Sequence, residues 1–124
     1  MLRVVSAIVL VAHGLGHVLG FLAAWTSITM GFTGRPWIFG GAEIGSPVGK
    51  LFGLVWLVAL AGFVAAGYAL YRDESWWGTV AVAASILSLA VILPWWNTVT
   101  PGSRFGAVLV DMIAIAVVVG QRAT

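Results

Sequence analysis

The chain has 124 residues, 61% hydrophobic and 8% charged, with a formal net charge of +2. A soluble domain carries about a quarter charged residues, so this composition excludes an ordinary water-soluble fold, and the length allows one bundle. Six Lys/Arg against four Asp/Glu form no basic stripe, which excludes a nucleic-acid partner, and zero cysteines exclude disulfides, thiolate metal ligands and a redox cysteine pair.

The first apolar run, about residues 4–25, predicts a membrane span, with Arg3 before it and Trp25 suited to the far interface. Met1-Leu2-Arg3 has the look of a signal-peptide start. The run is nevertheless too long, is interrupted by His13, Gly14, Gly16 and His17, and ends in Leu22-Ala23-Ala24, a poor cleavage site, so the span is expected to stay. Residues 26–50 form the longest segment between spans. Trp37, Ile38, Phe39 and Ile44 give it an apolar character that argues for an interfacial anchor or a lid folded over the bundle.

Ser46-Pro47 reads as an N-cap with proline in the first turn, opening a second span at about 48–71. Arg72-Asp73-Glu74-Ser75 is a tight polar turn, which makes spans two and three antiparallel neighbours. Span three, about 76–93, is bracketed by Trp76-Trp77 and Trp95-Trp96, about 19 residues or ~28 Å apart. That separation matches a bilayer's hydrocarbon thickness, so these rings, with Trp25, read as interfacial aromatic belts. Thr79, Ser85 and Ser88 are the polar side chains between them and suit contacts between helices. Span four, about 104–120, is expected to be the shortest and carries Asp111 inside it.

Ser46-Pro47-Val48-Gly49-Lys50 echoes Thr100-Pro101-Gly102-Ser103-Arg104, each preceded by a Pro-Trp pair, as duplication of a helical hairpin or low complexity would produce. Gly16/Gly20 and Gly49/Gly53 have the spacing of close helix contacts, within the chain or in a homo-oligomer or larger membrane complex. With the amino terminus inside, Arg3, Arg72 and Arg122 face Arg35, Lys50 and Arg104 across the membrane. This tie leaves the positive-inside rule undecided. The adopted orientation has both termini cytoplasmic, which places the apolar loop outside, in a bacterial inner membrane.

Both histidines, His13 and His17, lie four residues apart on one helix face. His13 is ~15 Å along its helix from Arg3, and Asp111 ~16 Å from Arg122, so the two share a depth, and imidazole and carboxylate can meet if spans one and four are neighbours. Ionisable groups at that depth face a bundle interior or a wet cavity. Three chemistries suit them. One is a buried His–Asp pair that sets helix register. Another is a metal site in which His13 and His17 bind Zn, Cu or Fe and Asp111 or Glu43 supplies oxygen. The third is a proton or small-solute path. Ser85 and Ser88 are secondary candidates at the same site. No catalytic residue is assigned: G-x-S-x-G is absent, and Gly14 stands where a His-Glu-x-x-His hydrolase carries Glu.

Four short spans, Arg3 before the first, His13-Gly14 within it and Gly20-Phe21 near its end resemble the DoxX-like family of small bacterial membrane proteins. The resemblance covers about a quarter of the chain at residue level, mostly span one. It implies a four-helix integral membrane fold and, as in some members, an accessory role beside quinone-coupled redox complexes. His17 stands where that family's run carries a Lys-like position, and no site residue is carried over. The resulting expectation is an all-α membrane protein: one four-transmembrane-helix bundle with a long apolar loop between helices 1 and 2. Its expected role is a non-enzymatic binding or accessory subunit with a His13/His17/Asp111 site. The alternatives are a metal- or quinone-linked redox component and a small transporter.

Overall fold

A computed structural model describes residues 1–27, 37, 43–99 and 101–123. The regular structure among them is helical: α1 (Leu2–Gly16), α2 (Val18–Trp25), α3 (Pro47–Tyr71), α4 (Trp77–Ile92) and α5 (Pro101–Ala123). Three stretches are long and apolar enough to cross a membrane: Leu2–Trp25, Pro47–Tyr71 and Gly102–Arg122; Trp77–Ile92 is a shorter apolar helix. Ile8, Leu15, Leu51, Val58, Ile86, Leu109, Ile113 and Val119 all point outward and are exposed. Apolar side chains covering the outside of the helices suit a lipid surrounding far better than water.

The helix ends follow local chemistry. Ser46 Oγ accepts from the Gly49 N–H at 3.2 Å, with Pro47 in the first turn of α3, as the sequence predicts. α3 stops in a Schellman turn. The Glu74 N–H bonds to Ala69 O (2.8 Å) and the Asp73 N–H to Leu70 O (3.1 Å), with Asp73 left-handed at φ 61°. Asp73 also pairs with Arg3 at 3.3 Å, and Arg122 bonds Thr79, so both termini lie at the same end of the bundle as the α3–α4 turn.

Two expectations need correction. Span four is not the shortest: α5 has 23 residues and starts at Pro101, while α4 has 16 residues, ~24 Å. Proline cannot continue a helical ladder and disfavours helix in the residue before it, so Pro94 ends α4 at Ile92. The turn that follows rotates Trp95 inward. Its ring is 0% exposed and packs against Phe52 and Trp56, centroids 5.8 and 6.4 Å away, so Trp95 belongs to the core and not to an outward belt. Trp25 and Trp76 remain exposed at opposite ends, with Trp77 and Trp96 half-buried. The echoed Trp37 differs from Trp95: it is exposed and donates through Nε1 to Leu93 O at 2.7 Å. The anchor or lid expected of residues 26–50 lies mostly outside the described residues.

α3 is the central helix, packed along α1, α2 and α4, and α4 packs along α5. Glycine makes the first of these contacts close. A Cβ on Gly14 would stand 2.7 Å from Phe63 Cβ and 3.2 Å from Leu60 O, and one on Gly20 would collide with the Trp56 indole. Gly49 and Gly53 are likewise filled, by Ile44 and by Ala24 with Trp25; Gly16 has open space. Gly14→Ala should therefore lower stability in detergent by about 1–3 kcal/mol through overpacking. Gly16→Ala should be neutral or stabilising by up to about 1 kcal/mol. Thermal unfolding of the two variants checks the contrast, and equal effects would contradict the α1–α3 contact.

Candidate functional site

The site starts at the break between α1 and α2. At His17 the main-chain N–H bonds to Gly14 O at 2.9 Å, three residues back, and the His13 carbonyl one residue earlier is released. The His17 ring takes that carbonyl, with Nδ1 2.9 Å from His13 O. A carbonyl only accepts, so Nδ1 carries the proton and donates. Nε2 of the neutral ring is then an acceptor, and Ser88 Oγ on α4 donates to it at 2.8 Å. Both nitrogens of His17 are thus engaged inside the protein, and the residue is buried.

His13 faces α5. Its Nε2 lies 2.8 Å from Asp111 Oδ1, and Asp111 is fully buried. Asp111 occupies the middle of the inward face of α5, in line with half-buried Ala107 and Ala114 and buried Val118. Its second oxygen, Oδ2, has no hydrogen-bond partner among the described residues. An uncompensated negative charge is expensive in such surroundings, which favours the net-neutral forms of the pair: imidazolium with carboxylate, or imidazole with carboxylic acid. One proton lies between Nε2 and Oδ1, and where Oδ2 carries none, a net-neutral pair puts a hydrogen on His13 Nδ1 as well. That Nδ1 makes no hydrogen bond among the described residues. Phe63 holds both rings edge-on or tilted, at centroid distances of 4.6 Å from His13 and 5.3 Å from His17.

The shared depth expected of His13 and Asp111 is met by their contact, although α1 and α5 do not pack along their lengths. The seam between them opens into two clefts. One, of about 470 Å³, is walled by Val9, Leu19, Trp56, Ile92 and Val110, with His13 and His17 in its lining. The other, of about 640 Å³, lies toward the termini between Leu10, Leu70, Trp77, Ile113 and Val117, with Arg3 and Asp73 at its edge. Val9 and Val110 line both, so the clefts abut where His13 and Asp111 join the helices.

Of the sequence candidates, His13, His17 and Asp111 come together and Ser88 joins them. Ser85 is fully buried on the same side of α4, but its Oγ has no partner among the described residues. Glu43 is exposed ahead of the Ser46 cap and is not part of the cluster. No group of three His, Asp or Glu able to hold a metal forms among the described residues, and His17 has no nitrogen left to offer, so the geometry lends the metal reading no support. Sequence reasoning did not single out Phe63 or Trp56. Each lies in an unbroken apolar run with nothing local to distinguish it.

Two contrasts test this arrangement. Ser88→Ala leaves a buried imidazole acceptor unpaired and should cost about 1–3 kcal/mol, whereas Ser85→Ala should change stability by less than about 0.5 kcal/mol. His13→Ala strands a buried carboxyl and should cost about 3–5 kcal/mol; the double variant His13→Ala/Asp111→Leu should recover part of that loss. Equilibrium unfolding in detergent measures all four, and a double variant less stable than His13→Ala would mean that Asp111 has another role.

No protein-family model, no curated protein and no solved structure matches this chain.

Proposed function

We propose that this chain is an integral membrane protein with a four-helix transmembrane bundle, acting as a non-enzymatic binding or accessory subunit. Its binding site is the cleft between α1 and α5 whose wall holds His13 and His17. The carrying observation is that cleft: about 470 Å³ of mostly apolar lining beside a hydrogen-bonded His13–Asp111 and His17–Ser88 cluster. Ligand sites commonly have this form, a largely apolar hollow of ~300–1,000 Å³ with few convergent polar groups. An accessory role of the kind found beside redox complexes in DoxX-like proteins agrees with this reading. A location in a bacterial inner membrane with cytoplasmic termini is part of the same proposal.

A second reading, transport, draws on one specific feature. The two clefts lie on opposite halves of one seam and abut at the His13–Asp111 bridge, where a proton shared between two side chains would control their connection.

The test compares wild type with Gly106→Trp. Gly106 lines the cleft and is exposed, and a Cβ added there would have no atom within 4 Å, so a large side chain occupies space without displacing the core. Mass spectrometry of gently purified protein should find a small apolar molecule retained by wild type and reduced at least about tenfold in Gly106→Trp. Equal occupancy in both, or none in either, would defeat the binding reading. Proton or solute flux in liposomes that disappears in Asp111→Asn would favour transport instead.

A further inference from the structure

We infer that the cleft beside His13 takes an uncharged amphiphile whose head group is a carbonyl oxygen, held by the Nδ1–H of His13. The inference rests on the binding reading above and adds the chemical class of the ligand.

The opening of the cleft indicates how such a molecule arrives. Gly16, Gly102 and Gly106 line it, all three are exposed, and none has an atom of the described residues within 4 Å of where a Cβ would stand. The gap therefore faces sideways out of the bundle, between α1 and α5, where an apolar molecule dissolved in lipid can slide in. Among the described residues the lining brings no charged side chain except His13, whose partner Asp111 already balances it. A carboxylate, phosphate or ammonium head would have no counter-charge at that depth, so the ligand is neutral.

The hydrogen-bond inventory then selects the head group. His17 offers nothing, because Nδ1 is bound to the His13 carbonyl and Nε2 to Ser88. His13 has Nε2 on Asp111 and, among the described residues, one free position, Nδ1, which bears hydrogen in a net-neutral pair whose Oδ2 carries none. A carbonyl oxygen accepts and brings no donor of its own, so it matches that single N–H. A hydroxyl head would bring an O–H while the imidazole acceptor of this cleft, His17 Nε2, is already taken, and Ser103, the other polar side chain of the lining, is itself engaged within the protein. A plain hydrocarbon would leave the N–H unpaired under the ligand. Asp111 is a positioning residue here: it keeps the His13 ring turned so that Nδ1 and not Nε2 is left for the ligand.

The experiment uses the full chain in lipid nanodiscs, with empty nanodiscs and Gly106→Trp as references. The probes are 2-undecanone, carrying a ¹³C carbonyl, and its matches undecane, 2-undecanol and undecanoate. Difference infrared spectroscopy reads the carbonyl stretch, ¹⁵N resonances of labelled histidine read His13 Nδ1, and displacement of the ketone by each competitor gives relative affinity. The expected result is a ketone that binds about tenfold more tightly than the hydrocarbon or the alcohol, the worth of one net hydrogen bond. Its carbonyl stretch should fall and the His13 Nδ1 resonance should shift, both absent in Gly106→Trp. His13→Phe/Asp111→Leu, which removes donor and carboxyl together, should bind ketone and hydrocarbon alike. Because the nitrogen resonance is read in wild type, the test does not depend on that variant folding. Equal binding of ketone and hydrocarbon, a preference for the alcohol or the carboxylate, or an unshifted Nδ1 overturns the carbonyl assignment while leaving a binding protein. Failure of every probe to bind overturns the assignment and the binding reading together.

Discussion

One buried carboxyl group governs this structure. Asp111 sits at the middle of an apolar helix with no exposed surface, a position tolerable only with a partner of matching chemistry. His13 supplies it from the opposite side of a seam where the two helices do not otherwise pack. Charge compensation thus joins the first and last helices where apolar packing leaves them apart. The clefts on either side of the bridge are a consequence: two helices held together at one point, with small residues along the facing edges, leave volume above and below it.

The second histidine is placed by a backbone event. A straight helix through residues 2–25 would hold the His13 carbonyl in its own ladder. The break at His17 frees that carbonyl, and the His17 ring satisfies it at once, leaving no loose polar group in an apolar setting. Once Nδ1 is committed there, the ring's other nitrogen must accept, which is why a serine stands opposite on α4. Phe63 from the central helix backs both rings, so three helices besides α1 contribute to holding two imidazoles. Gly14 is what lets Phe63 come that close. The two histidines consequently differ in chemistry despite sharing a helix face: His17 is fully committed inside the protein, and His13 Nδ1 makes no hydrogen bond among the described residues.

Much of the architecture is legible in the linear chain because it depends on local rules. Hydrophobic run lengths, the Ser46-Pro47 start and the polar turn at Arg72–Ser75 place the helices to within a few residues, and helical rise alone puts His13 and Asp111 at one depth. The departures have equally local causes. Paired tryptophans around span three look symmetric in sequence, but Pro94 ends α4 early and the turn after it carries Trp95 inward, an effect that depends on what waits in the core, Trp56 and Phe52. The full length of α5 is hidden because Pro101-Gly102-Ser103 reads as a turn, while proline in a first turn is an ordinary helix start.

The sequence by itself determined an all-helical, strongly apolar chain, the approximate place of its helices and the identity of the three ionisable groups among them. Composition and periodicity suffice for that, since the cost of placing charge in an apolar medium does not depend on the fold. The tertiary structure alone decided which nitrogen of each imidazole meets which partner, that Ser88 is engaged and Ser85 is not, and that the seam between α1 and α5 stays open. Those outcomes turn on ångström-scale distances between residues up to 98 positions apart. Hydrogen bonding falls off over such distances too steeply for spacing along a chain to predict it.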